Sequence, residues 1–154
     1  MNKAALKTEL LATLQKTLDA LLAAHADTRE AATHPEAKPE NDKDTRALEQ
    51  SYLARGQAMR IESLKAGVAA TGVMSVAACE TARVGALVEV EDEDGETVRY
   101  FLAPEGGGTK LKGGVQVVTP ASALGAALTG KREGDEVEIT LAGKKRVWSV
   151  SAVL

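Results

Sequence analysis

Apolar residues early in the chain recur three and four positions apart. Leu11, Leu14, Leu18, Leu21 and His25 make one stripe, with Leu6, Leu10 and Leu22 beside it, which is the spacing of one face of an α-helix. A second stripe sets Ala47, Ala54, Ile61 and Val68 seven apart, with Ala58 between them and Leu48, Tyr52, Leu53, Met59 and Leu64 widening it. The segment from His34 to Asn41 lies between the two, and Pro35 and Pro39 within it forbid one continuous helix. The pattern therefore predicts an antiparallel helical hairpin, a coiled coil, over residues 1–75 with its loop near 34–41. Each arm of about 30 residues reaches ~45 Å at a rise of 1.5 Å per residue.

After Lys65 the composition thins to Gly67, Ala69, Ala70, Gly72 and Ser75, and the hydrophobic period then falls to two. A second domain is expected over 80–154. Val88 and Val90 alternate with Glu89 and Glu91, Val98, Tyr100 and Leu102 with Arg99 and Phe101, and Val137, Ile139 and Leu141 with Glu136, Glu138 and Thr140. These read as strands with one wet face, and Trp148, Val150, Ala152 and Leu154 as a last one. Asp94-Gly95 and Ala142-Gly143 supply turns. A short helix is expected with Thr119 as N-cap and Pro120 at its first position, running through Ala123, Leu124, Ala127 and Leu128 to a stop at Gly130. The fold class is α+β: a hairpin, then a mostly antiparallel sheet with one helix.

Composition narrows the chemistry. Aromatic residues are 3% of the chain, too few for a base-stacking face or an aromatic ligand cage. Charges are balanced in the first half and acidic by three in the second, so neither is a basic nucleic-acid platform. The lone Cys79 makes no internal disulfide, and with only His25 and His34 it cannot complete a Cys/His zinc site. A reducing cytoplasm is the expected location. Lys7, Glu9, Gln15, Lys16 and Asp19 interrupt the first helix, so neither a membrane span nor a signal peptide is expected. The loop from Glu105 to Lys110 is glycine-rich but lacks the P-loop spacing and leads into no helix, so it reads as a strand connection.

Two stretches carry a family resemblance. Pro39-Glu40-Asn41 followed by Glu49-Gln50 looks like the tip motif GDLKENAEYHAAREQQ, and Val115 to Pro120 continuing through Leu128 to Val137 looks like the signature ISVxSPIARALIGKxxGDxVEV. Both belong to the Gre family of bacterial transcript cleavage factors, GreA and GreB, which the chain resembles over nearly its whole length. The resemblance implies an FKBP-like C-terminal domain that docks on RNA polymerase, with Thr119, Pro120 and Leu124 in the docking surface. It also implies a hairpin that carries carboxylates to the Mg²⁺ of the polymerase active site, where a hard ion takes oxygen ligands. Glu40 is then the main catalytic acid and the shared metal ligand, with Glu36, Asp42 and Asp44 assisting. The family's first tip acid falls on Ala37 here, one residue from Glu36. The resemblance implies no cofactor of the chain's own, no enzyme activity beyond stimulating the polymerase's RNA cleavage, and contact with nascent RNA and DNA only inside the elongation complex. The alternative function is a non-cleaving regulator that occupies the same channel.

Overall fold

The computed structural model describes residues 1–33 and 45–154. Two helices come first, α1 (Lys3–Thr33) and α2 (Thr45–Val73). Six strands follow, β1 (Leu87–Glu91), β2 (Thr97–Leu102), β3 (Lys110–Leu111), β4 (Val115–Val118), β5 (Glu136–Leu141) and β6 (Lys144–Val153), with α3 (Ala123–Leu128) between β4 and β5. The α+β class is as expected. Residues 13–68 form one compact unit; residues 1–12 and 69–154 form the other. The first turns of α1 and the last turn of α2 thus belong with the sheet.

In the unit 13–68, α1 turns Leu14, Leu18, Leu21, His25 and Thr28 inward at the expected three-four spacing. On α2 the sevenfold series Ala47, Ala54, Ile61 and Val68 is also at least partly buried, and a second series, Gln50, Gln57 and Leu64, completes the heptad. Leu14, Leu18, Ile61 and Leu64 are the best buried of these, and His25 Nδ1 stands 3.4 Å from Gln57 Oε1. The expected widening of the α2 stripe holds at Leu64 alone: Leu48, Tyr52, Leu53 and Met59 are 52%, 61%, 55% and 69% exposed. Two of the true seam positions are glutamines, which a hydrophobicity pattern passes over. With the seam fixed by the sevenfold series, those four apolar side chains fall on the other side of the helix. Leu22 is likewise 39% exposed.

In the other unit the six strands lie in the order β3-β4-β2-β1-β6-β5. All neighbours are antiparallel except β2 and β4, which are parallel, so the sheet is mixed. A parallel pair needs a crossover of about a dozen residues, and residues 103–114 provide it, with β3 turning back along β4. One sheet face buries Val88, Val90, Tyr100, Leu102, Val137, Ile139, Trp148 and Val150 around Leu128 of α3. Tyr100 and Trp148 stack there with ring centroids 6.2 Å apart.

The opposite face exposes Glu91, Glu136, Glu138 and Thr140 as the alternation implies, but part of it, on β1, β2 and β4, is not wet. Leu87, Phe101, Val115 and Val117 are fully buried, and Leu6, Leu10 and Met74 at the helix ends are buried in the same unit. The first turns of α1 are bonded to the residue after β3 and to the segment that follows α2. The Lys112 N–H donates to the Glu9 carboxylate (3.1 Å), Lys3 Nζ to the Ala77 carbonyl (2.8 Å) and Lys7 Nζ to the Met74 carbonyl (2.9 Å). Burying a side chain such as Phe101 contributes roughly 1.5–3 kcal/mol, so the buried part of this second face adds to what the first face supplies. Among the described residues no helix is long and apolar enough to cross a membrane.

Candidate functional site

The acids expected to act at the hairpin tip, Glu36, Glu40, Asp42 and Asp44, lie with Ala37 outside the described residues. What is described is the seam that leads toward them. Leu14, Leu18 and Leu21 give way to His25 and Thr28 on α1, and Leu64 and Ile61 to Gln57, Ala54, Gln50 and Ala47 on α2. The seam grows smaller and more polar toward residues 34–44, where packing between the helices has less apolar surface to draw on. Among the described residues no group of three His, Cys, Asp or Glu stands placed to hold a metal ion.

The second candidate region is the strand-turn-helix from Val115 to Gly130. β4 runs parallel to β2 and delivers Thr119 at its end, where Pro120 follows in a tight turn closed by the Ser122 N–H on the Thr119 carbonyl (3.0 Å). Proline presets the backbone for such a turn, which is why the helix starts later than expected. The N-cap is Ser122, not Thr119: Ser122 Oγ accepts from the Gly125 N–H (3.0 Å) and donates to the Thr119 carbonyl (2.7 Å). Thr119 therefore serves as the acceptor that anchors the turn. The stop at Gly130 is as expected, with φ +85° and its N–H on the Ala82 carbonyl (2.8 Å).

Gly125 is the residue that sequence reasoning missed in this region. A Cβ there would meet the Thr119 carbonyl oxygen at 1.8 Å, so only glycine lets α3 close onto the turn. The only advance signal was a glycine inside a six-residue helix, where it disfavours helix formation. Thr119 and Pro120 are half-buried, Leu124 is half-buried on α3, and Leu128 is fully buried in the core. Leu124 packs against the edge of the core and keeps part of its surface exposed, while Leu128 is a folding residue.

The glycine-rich connection is built against the same turn. A Cβ on Gly107 would lie 3.4 Å from Thr119 Cγ2, and the Gly108 N–H donates to the Val117 carbonyl (2.8 Å) while the Val117 N–H donates to Thr109 (2.8 Å). It leads into β3, as expected of a strand connection. Beside α3 an open cavity of about 360 Å³ is lined by Ala123, Leu124, Glu138, Ile139, Thr140 and Leu141. Cys79 is half-buried and its thiol faces the Leu154 carbonyl at 3.4 Å. Burial raises the pKa of the Tyr100 phenol above 10.0.

The family model for the C-terminal part of GreA/GreB transcription elongation factors matches residues 77–154, the segment holding the sheet and α3. The transcription elongation factor GreA of Rhodospirillum rubrum is 28% identical over 114 residues, 74% of this chain and 71% of that protein. Among solved structures, the GreA factor homolog 1 of Thermus thermophilus is similar at 20% identity and a TM-score of 0.42, with 94% of each chain covered. A GreA/GreB factor from Nitrosomonas europaea is similar at 19% identity and a TM-score of 0.40, over 60% of this chain and 78% of that one.

Proposed function

Given that the chain belongs to the GreA/GreB family of transcription elongation factors, we propose that it binds RNA polymerase and stimulates the polymerase's cleavage of backtracked RNA. The observation that carries this reading is the family match over residues 77–154, which includes the turn Thr119 to Ser122 and the helix it caps. In this reading the FKBP-like part docks through Thr119, Pro120 and Leu124. The half-buried state of these three fits a surface that holds its shape before a partner arrives.

The hairpin supplies reach. The 31 residues of α1 extend over about 46 Å, and the acids that follow it in sequence are carried to the polymerase's own active site. There Glu40 would offer a carboxylate oxygen to the resident Mg²⁺, with Glu36 taking the place of the acid absent at Ala37 and Asp42 and Asp44 adding negative charge. The chemistry such an ion would supply there is activation of water for attack on the phosphodiester. The chain contributes ligands and position, and the polymerase contributes the nuclease, nascent RNA and DNA.

The test is RNA release from backtracked elongation complexes across a magnesium titration. Glu40→Ala abolishes release while polymerase binding is kept, and Glu36→Ala gives a smaller loss. Ala37→Asp raises release. If neither the wild type nor Ala37→Asp releases fragments while both bind polymerase, the protein is a non-cleaving occupant of the channel.

A further inference from the structure

β5 is the last strand of the sheet, so among the described residues one of its edges has no strand beside it. Which main-chain groups face that edge follows from β6. Val150 turns both its groups toward the β5 side: its N–H donates to the Asp135 carbonyl (2.8 Å) and its carbonyl accepts from the Gly134 N–H (2.9 Å). Alternation then turns Trp148, Arg146 and Lys144 the same way, and their partners Val137, Ile139 and Leu141 face them. Val147 points away from β5, as its N–H on Glu93 Oε1 (3.5 Å) shows. The N–H and C=O groups of Glu136, Glu138 and Thr140 are therefore those directed out of the sheet.

This edge is also the wall of a groove. The cavity of about 360 Å³ runs between Ala123 and Leu124 on one side and Glu138 to Leu141 on the other. Ile139 and Val137 are buried beneath α3, whereas Leu141 at the open end is 45% exposed. Glu138 and Thr140 alternate to the other sheet face and so reach the groove along their outward main chain. On that other face the exposed carboxylates of Glu136 and Glu138 flank the edge. The Lys145 ammonium, 3.4 Å from Glu138 Oε1, leaves both side chains more than half exposed, and such a pair competes weakly.

We propose that this groove receives an extended peptide that adds to β5 as a seventh strand, with apolar residues toward the cavity and Lys or Arg at the alternate positions. An added strand meets the outward-facing donors and acceptors of Glu136, Glu138 and Thr140. Its basic side chains stand across from Glu136 and Glu138, where opposite charges stabilise and like charges repel. The same charges disfavour a second copy of the chain: two β5 edges centred on Glu138 would place two carboxylates directly opposite each other. The proposal does not rest on polymerase binding.

The experiment uses the full chain without polymerase. A labelled peptide of alternating Arg and Val is titrated by fluorescence anisotropy, alongside a Glu/Val peptide and an Arg/Val peptide methylated at the main-chain nitrogens that would face β5. Amide NMR locates the binding. The expected result is saturable binding of the Arg/Val peptide with shifts at residues 136–141 and 123–124. The methylated peptide and the variant Glu136→Lys/Glu138→Lys each bind at least about fivefold more weakly, the scale of two cross-strand charge pairs or lost ladder bonds. Thr140→Pro, which removes an outward N–H at an edge that tolerates proline, weakens binding similarly. Equal affinity for the methylated peptide overturns the proposal, as do shifts confined to other residues. Self-association through β5 in sedimentation, with no peptide bound, overturns it too and assigns the edge to a second copy.

Discussion

The same substitution should have opposite effects at two glycines. At Gly125 the added methyl lies 1.8 Å from the Thr119 carbonyl oxygen, 2.6 Å from its carbon and 3.0 Å from Ser122 Oγ. Ordinary contact begins near 3.4 Å, so the carbonyl has to retreat by about 1.6 Å. That movement breaks the bonds it accepts from Ser122, and with them the Ser122 cap on α3. Overpacking costs about 1–3 kcal/mol and a lost N-cap about 1, against about 1 recovered from helix propensity. Gly125→Ala is therefore expected to destabilise the sheet unit by about 1–3 kcal/mol, and Gly56→Ala to stabilise α2 by up to about 1, because nothing lies within 4 Å of that Cβ. Urea unfolding separates the two: Trp148, the single tryptophan, stacks on Tyr100 and reports the sheet unit, while far-UV circular dichroism is dominated by α1 and α2. A Gly125→Ala midpoint equal to wild type by tryptophan fluorescence, at unchanged m-value, would refute the closed Thr119–Gly125 contact.

Four further outcomes are expected. Ala142 sits at φ +50° ahead of Gly143 in the β5–β6 turn, so Ala142→Asn, the residue that best tolerates this conformation, stabilises by roughly 0.5–1 kcal/mol in thermal unfolding. Leu128→Ala, fully buried under the sheet, costs about 2–5 kcal/mol by urea titration. Replacing His25 and Gln57 together by leucine extends the apolar seam they now interrupt and raises helix protection in hydrogen exchange by roughly 1–2 kcal/mol. Burial holds the Tyr100 pKa above its unfolded value of 10.0. The native state therefore keeps a proton that the unfolded state loses, and the phenol's contribution is complete below pH 10.0 and falls as pH rises from there through the folded pKa. In Tyr52→Phe, ultraviolet titration of the one remaining tyrosine shows that step, and a midpoint at or below 10.0 contradicts it.

Periodicity was enough to place the two helices, to locate the change from helix to strand, and to pick Val88, Val90, Tyr100, Val137, Ile139 and Val150 as core, because each of these is apolar at the period of its own element. The turns at Asp94-Gly95 and Ala142-Gly143 were legible for the same local reason: the Asp92 side chain accepts from the Asp94 and Glu96 N–H groups, and the Gly95 and Gly143 backbones take positive φ. The family signature from Val115 to Val137 was legible too, since it is a local run of strand, turn, capped helix and strand. Tertiary structure decided what depends on distant partners. Gln50 and Gln57 face the seam only because α1 lies against them, and Leu48, Tyr52, Leu53 and Met59 are exposed because the seam lies elsewhere. Phe101 is fully buried on the face that the alternation would leave wet, in a unit that also holds the first turns of α1 and the last turn of α2, and Lys3 reaches Ala77 across more than seventy residues of sequence. Ser122 replaces Thr119 as cap because Gly125 closes on the Thr119 carbonyl. The groove beside β5 exists because the sheet order leaves that strand outermost. Local patterns record the chain's own periods, whereas seam choice, second-face burial and sheet edges are set by which surfaces meet, and that information is carried by no single segment.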